Sequence, residues 1–331
     1  MVDVDIPIMV WLSGNFTIDT KIFNENSQTI TQQGYGGSVF FGSWTIATFF
    51  KNVSYKIFSN GYPHLLLTEG SSPKNVLALS ESIDQNDVQK LTHYVLDYRT
   101  SIRKLQLNFF PPDVITFPHN TDVLPNIIMF TPVYHELAET SAEQLKDLFP
   151  KVLLSCDPQG WCRIRDQKTN LIKIKQWIPS DEFLSAVSII KMSSEDLLNS
   201  SNRDLDGFIK RILAKKVIFI ITGGEKGIIC FETKLTTKNS ECYYSPVSKI
   251  KRTGDTTGAG DVWLLAFTIN YYMTKNITRA LAAATVITGL KIQGKDILFT
   301  DFSDKELQSG ITNQEKKVHL LPIQKGIQEI L

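Results

Sequence analysis

The chain has 331 residues, 42% of them hydrophobic and 21% charged, and a formal net charge of +1 from 35 basic and 34 acidic side chains. That balance argues against nucleic acid or an anionic membrane as the main partner, and the length allows one large domain or two. Four cysteines (Cys156, Cys162, Cys230 and Cys242) form no CxxC pair and no disulfide framework, so they read as reduced thiols of a cytoplasmic protein.

Met1 to Leu12 carries Asp3 and Asp5 and no basic region, which makes a poor signal peptide; Ile6 to Leu12 reads as a buried strand ending at Ser13-Gly14-Asn15. Thr17 to Gln33 alternates polar and β-branched residues and predicts a solvent-facing strand pair. Gly36-Gly37 opens an apolar stretch, Ser38 to Phe50, long enough for a helix on a sheet. Alternation returns from Val88 to Phe110, a second strand pair outside the main core. After Pro111-Pro112 the pattern becomes regular α/β, with strands expected at 126–130, 152–156, 186–191, 217–222 and 227–231. Helices such as 141–149 and 203–215 lie between some of them. Short apolar runs alternating with helices predict a mostly parallel sheet with helices on both faces, and ligands at the carboxyl ends of its strands. No apolar run reaches the roughly 18–20 residues of a membrane helix.

Asp255-Thr256-Thr257-Gly258-Ala259-Gly260-Asp261 precedes an apolar helical run, Val262 to Tyr272. A helix N-terminus gathers unpaired amides and the positive end of the helix dipole, and so attracts phosphate. A carboxylate beside a phosphate makes sense if it takes the proton of the attacking group, which points to phosphoryl transfer with Asp261 as base. An ordinary N-cap explains one polar residue and one glycine of this segment, not the whole set. Thr222-Gly223-Gly224-Glu225-Lys226-Gly227 follows a strand and reads either as a turn approaching nucleotide phosphates or as a tight hairpin between apolar strands. Asp157-Pro158-Gln159-Gly160 with Arg163 offers acceptors, an amide and a cation for a polyol or phosphate, or is plain turn chemistry. Ser193-Ser194-Glu195-Asp196 reads either as a helix cap or as a magnesium element. The five histidines show no ligand spacing. The tryptophans read as packing, with Trp161 singled out by its polar neighbours.

Together these residues resemble the ribokinase-like (PfkB) family of sugar and nucleoside kinases, over nearly the whole chain and in the family's order. Gly14-Asn15 with Asp19 resembles the first substrate loop and Gly36-Gly37 the paired glycines. Thr222, Gly224 and Gly227 resemble the nucleotide turn, and Asp255 to Asp261 the C-terminal signature. Gly36-Gly37-Ser38-Val39 and Asp157-Pro158-Gln159-Gly160 with Arg163 are most similar to the myo-inositol kinase-like branch. The resemblance implies an α/β core (1–18, 35–87 and 111–331) under a small β lid (19–34 and 88–110). It implies transfer of the γ-phosphate of ATP to a hydroxyl of a sugar or cyclic polyol, with Asp261 as base and the Gly258, Ala259 and Gly260 amides as anion hole. Thr222, Gly224, Gly227, Asp255 and Thr257 would bind the nucleotide, and Asp19, Gly36, Gly37, Asp157, Gln159 and Arg163 the acceptor. Magnesium would be served through water by Glu195 and Asp196. The family also admits a monovalent cation and a homodimer through the lid. Two departures stand out. Phe41 takes the place of an asparagine common four positions after the paired glycines, and Ser193 and Asp196 replace the N-x-x-E pair. A nucleoside kinase of the same fold, or a catalytically silent binding relative, are the alternatives.

Overall fold

The computed structural model describes residues 7–25, 27–69, 87, 90–100, 103–199, 204–247, 256–293 and 304–331. Its large sheet has nine strands, numbered in chain order: β15 (His319–Pro322), β14 (Glu241–Ser245), β13 (Ile228–Phe231), β12 (Ile218–Thr222), β11 (Ile189–Ser193), β8 (Leu153–Cys156), β7 (Ile127–Phe130), β1 (Ile8–Ser13) and β4 (Val53–Phe58). Strands β4 through β12 along this order are parallel. The last three return antiparallel, beginning with the hairpin that is one of the two readings of Thr222–Gly227. The reason is the connection. Only Gly223–Gly227 join β12 to β13, too few residues for a crossover, so the chain makes a hairpin.

Successive side chains of a strand point to opposite faces, and the sequence uses both. Val10, Leu12, Ile127, Met129, Ile218 and Ile220 join one core, beneath the helices Ser38–Phe49, Ala259–Thr274 and Ile277–Ile292. Trp11, Ile128, Phe130, Leu154, Ile190, Phe219 and Ile221 join the other, with the helices Thr140–Leu148, Leu205–Ala214 and Ile323–Ile330. Both faces are covered, as a parallel sheet requires. The four cysteines are buried and unpaired, and burial pushes their thiols up from the ordinary value. No helix among the described residues is long and apolar enough to cross a membrane.

A separate four-stranded sheet runs β3 (Gln28–Gly36), β2 (Thr17–Glu25), β5 (Thr92–Asp97), β6 (Lys104–Phe109). Strand β2 pairs in parallel with β5 and antiparallel with β3, so it is interior to this sheet. Its first four residues, Thr17 to Thr20, are buried; the solvent-facing character expected for this stretch belongs to β3 instead. A short hairpin, β9 (Arg163–Arg165) and β10 (Ile172–Ile174), leads from the large sheet to β6, where Leu107 N donates to Asn170 O at 2.9 Å. The small sheet therefore lies over the carboxyl ends of β8 and β11.

Candidate active site

A cavity of about 460 Å³ opens between the two sheets at those strand ends. It is lined by Asp19, Gly37, Asp157, Gln159, Arg163, Glu195, Asp196, Thr222, Gly224, Thr257, Gly258, Ala259, Gly260 and Asp261, residues drawn from six distant segments of the chain. Gly36 and Gly227 are absent from the lining, and Asp255 lies outside the described residues. Gly36 instead makes room for a neighbour, since a Cβ on it would stand 2.3 Å from Asp19 Oδ2. Gly227 shapes the turn, with φ of +97° and its carbonyl accepting from the Gly223 amide at 2.8 Å. The hairpin reading of this turn and its place at the cavity thus coexist, because Thr222, Gly223 and Gly224 reach the lining while Gly227 closes the turn behind them.

The apolar run from Val262 forms the buried helix Ala259–Thr274, and Gly258 is its N-cap with φ of +74°. No side chain caps this terminus, and the Gly258 and Gly260 amides meet no acceptor among the described residues. Ala259 differs from the expectation. Its amide donates to Thr256 O at 3.1 Å, closing the turn that leads into the helix, and so it is engaged before any ligand arrives. The phenyl ring of Phe41 packs against Gly258, where a Cβ would come within 2.1 Å of the ring. Glycine is required there twice over, by backbone angle and by contact.

Asp261 sits in the first helical turn with Oδ1 buried and without a hydrogen-bond partner among the described residues. Burial first, and the Asp157 carboxylate second, push its pKa up to about 7, against the lowering effect of Lys191, Arg163 and Lys291. Lys191 is a residue the sequence reading missed. It lies on β11 with its ammonium in an ion pair with Asp157, their side chains 5% and 3% exposed. Burial opposes the Lys191 charge, yet the Asp157 and Asp261 carboxylates hold its pKa above the ordinary value. Its Nζ reaches the first helical turn, 2.9 Å from where a Cβ on Gly260 would stand. One buried cation thus faces two buried carboxylates next to the glycine amides. A lysine inside the otherwise apolar run Ile189 to Met192 was the available signal, since such a charge is seldom buried without a partner.

Asp157 also orders its own turn, with Oδ1 accepting from the Gln159 amide at 3.2 Å. Arg163 donates to Val133 O at 2.9 Å and to Gln159 Oε1 at 2.9 Å, and its guanidinium lies 5.4 Å from the Tyr94 ring of β5. It therefore ties the large sheet to the small one at the cavity wall. Asp19 accepts from Thr17 Oγ1 at 2.7 Å and is buried. Glu136, also missed, is a buried carboxylate that gathers the amides of Asn15, Val133 and Tyr134 and so fixes two cavity loops against each other. Trp161 packs instead of lining the cavity: it stacks on Trp177 and donates Nε1 to Leu137 O at 2.7 Å.

Ser193 and Asp196 form a reciprocal cap at the helix Ser194–Asn199: the Asp196 amide donates to Ser193 Oγ at 3.0 Å, and that hydroxyl donates to Asp196 Oδ2 at 2.7 Å. Glu195 is exposed and meets Arg103, which precedes β6, at 3.8 Å. Among the described residues no three His, Cys, Asp or Glu side chains gather into a metal cage. Magnesium characteristically keeps waters and binds through one or two carboxylates plus substrate phosphates, and Asp196 at the cavity fits that donor set. Burial raises its pKa, so a cation nearby would stabilise its charged form.

Residues 134–298 match the family model described as pfkB family carbohydrate kinase. The chain belongs to the pfkB carbohydrate-kinase family. As a pfkB carbohydrate kinase it is a phosphotransferase acting on a hydroxyl group. No curated protein matches it by sequence. Among solved structures it is similar to a pyrophosphate-dependent ribokinase-family kinase complexed with a pyrophosphate analog and myo-inositol. That match has 19% identity and a TM-score of 0.65, covering 91% of this chain and 99% of the other. A nucleoside kinase of Methanocaldococcus jannaschii matches at 14% identity and a TM-score of 0.62, over 92% of this chain and 98% of that one. Arabidopsis thaliana ribokinase complexed with ribose and ATP matches at 14% identity and a TM-score of 0.57, over 92% and 98%. At such identities these likenesses establish the fold shared by pfkB kinases.

Proposed function

We propose that the chain transfers the γ-phosphate of ATP to a hydroxyl of a sugar or cyclic polyol, a myo-inositol-like acceptor being favoured. The observation that carries this reading is Asp261: a carboxylate with an unpartnered buried oxygen, in the first turn of a helix whose Gly258 and Gly260 amides line the same cavity. Asp261 takes the acceptor's proton as its oxygen forms a bond to the γ-phosphorus. The bond from that phosphorus to the bridging oxygen breaks, and ADP leaves with the electron pair. The Gly258 and Gly260 amides, with Lys191, stabilise charge on the phosphoryl oxygens in flight, so the protein contributes position and electrostatics more than covalent chemistry. Thr222 and Gly224 hold the donor's phosphates. Magnesium, held by those phosphates and through water by Asp196 and Glu195, would neutralise their charge.

Asp19, Gly37, Gln159 and Arg163 hold the acceptor, and the small sheet acts as a lid that excludes water. Asp157 acts chiefly through Lys191, its buried partner. Phe41 places an apolar ring on the cavity wall where ribose-type pockets of the family carry an amide, which supports a ring polyol over ribose. The exposed edge of β3 supports pairing of two lids in a homodimer. Buried, unpaired thiols support a cytoplasmic setting. Pyrophosphate is the second reading for the donor, because a similar fold complexed with myo-inositol is a pyrophosphate-dependent kinase. Likeness to the archaeal nucleoside kinase supports a nucleoside as the second acceptor class. A panel of inositols, hexoses, pentoses and nucleosides, run with ATP and with pyrophosphate and read by phosphorus NMR, separates these readings. Transfer to a cyclic polyol supports the proposal, and transfer to nucleosides alone replaces it. Saturable binding without transfer from either donor would mark a silent relative.

A further inference from the structure

The family resemblance leaves room for a monovalent cation, and where one could serve the anion-binding loop follows from simple chemistry. Peptides that turn their amides toward a phosphate turn their carbonyls away, and a cation serving the loop binds on that carbonyl side. Here the carbonyls of residues 256 to 258 are all engaged. Thr256 O accepts from the Ala259 amide at 3.1 Å and Gly258 O from the Val262 amide at 3.0 Å, both within the backbone. Thr257 O accepts from the ammonium of Lys291, a residue near the end of the helix Ile277–Ile292. The same ammonium lies 5.1 Å from the centre of the Phe41 ring, whose face holds it over the loop. Lys291 is thereby fixed from two directions.

The Thr257 carbonyl and the Gly258 amide belong to one peptide group. Resonance couples them: a positive charge at the oxygen draws electron density from the nitrogen and makes its N–H a stronger donor. That amide meets no acceptor among the described residues and lines the cavity. A cation on the back of this peptide therefore strengthens the anion hole on its front, which is the service a bound potassium ion would give.

We propose that Lys291 is the built-in cation of the anion-binding loop, seated on the carbonyl that a monovalent ion would take, so that this kinase needs no potassium or sodium. Lys291 is a positioning residue in this account, since it acts on the phosphoryl group through the Thr257–Gly258 peptide. The inference rests on the kinase reading of the cavity, and one of its readouts is independent of that reading.

The test compares potassium chloride with tetramethylammonium chloride at matched ionic strength, in the intact protein and in Lys291→Met. Thermal melting comes first and needs no substrate. The wild type should melt at the same temperature in both salts, whereas the variant should melt lower and gain stability specifically with potassium. Turnover comes second, with myo-inositol and ATP, or with whichever acceptor and donor respond. The wild type should be indifferent to the salt. Lys291→Met should lose roughly tenfold or more in tetramethylammonium, as expected for removing a charge-assisted contact behind an oxyanion donor, and recover with potassium or ammonium. A saturable, potassium-specific rise in wild-type melting temperature or turnover overturns the proposal. So does wild-type turnover in Lys291→Met without potassium. If the variant does not fold, the wild-type salt series decides alone. Absence of transfer from both donors would count against the kinase reading, and the melting series would still decide the cation.

Discussion

Replacing Asp261 by asparagine should make the unliganded protein more stable, and the gain should grow with pH. The folded protein holds the Asp261 carboxyl at about 7, against an ordinary value of 3.8. Between those values the folded state binds the proton more tightly than the unfolded chain, so wild-type stability falls as pH rises through this window and levels off above about 7. The gap between the two values corresponds to about 4 kcal/mol in total, and more than half of it falls between about pH 5 and about pH 8. The substituted asparagine has the shape of the protonated side chain and no such titration. The assay is urea unfolding of wild type and Asp261→Asn at those two pH values, with the stability difference taken from linear extrapolation. Effects of the substitution that do not depend on pH cancel in the comparison. The advantage of the variant should increase by about 2–3 kcal/mol at the higher pH. An advantage equal at both values would refute the argument that burial and Asp157 strain this carboxylate.

The remaining predictions concern the groups around it. Lys191→Met leaves Asp157 buried and unpaired, so stability should drop by about 3–5 kcal/mol. Because Lys191 lowers the pKa of Asp261, the acidic limb of kcat/KM against pH should also move above about 7 in this variant. A limb that stays in place would contradict the coupling. Gly258→Ala demands a left-handed residue worth about 1–2 kcal/mol and pushes a methyl into the Phe41 ring. Lower melting temperature and reduced turnover are expected, and adding Phe41→Ala should return part of the stability but leave the backbone strain. Wild-type behaviour of the single variant would show that the loop tolerates a different shape.

Much of this fold can be read from local pattern. Short continuous apolar runs at Ile8–Ser13, Ile127–Phe130 and Ile218–Thr222 place strands because each must bury both faces. Gly258-Ala259-Gly260 ahead of the largely apolar run from Val262 reads as a helix N-terminus suited to an anion. Other features depend on which segments meet in space. Lys191 shows locally only as a charge inside an apolar strand, and its role becomes legible once Asp157, 34 residues earlier, is folded against it. Lys291 and Glu136 are likewise legible only through partners, the Thr257 carbonyl and three loop amides respectively. The glycines divide for the same reason. Gly36 and Gly227 carry family spacing, yet one makes room for Asp19 and the other closes a turn.

The central claim is that Asp261 removes the acceptor's proton during phosphoryl transfer. Its most direct test is single-turnover transfer from the responsive donor to the responsive acceptor, wild type against Asp261→Asn, with donor binding measured in parallel. The account predicts unchanged donor affinity and a transfer rate lower by roughly 10²–10⁴ or more. A variant that transfers at nearly the wild-type rate would contradict it.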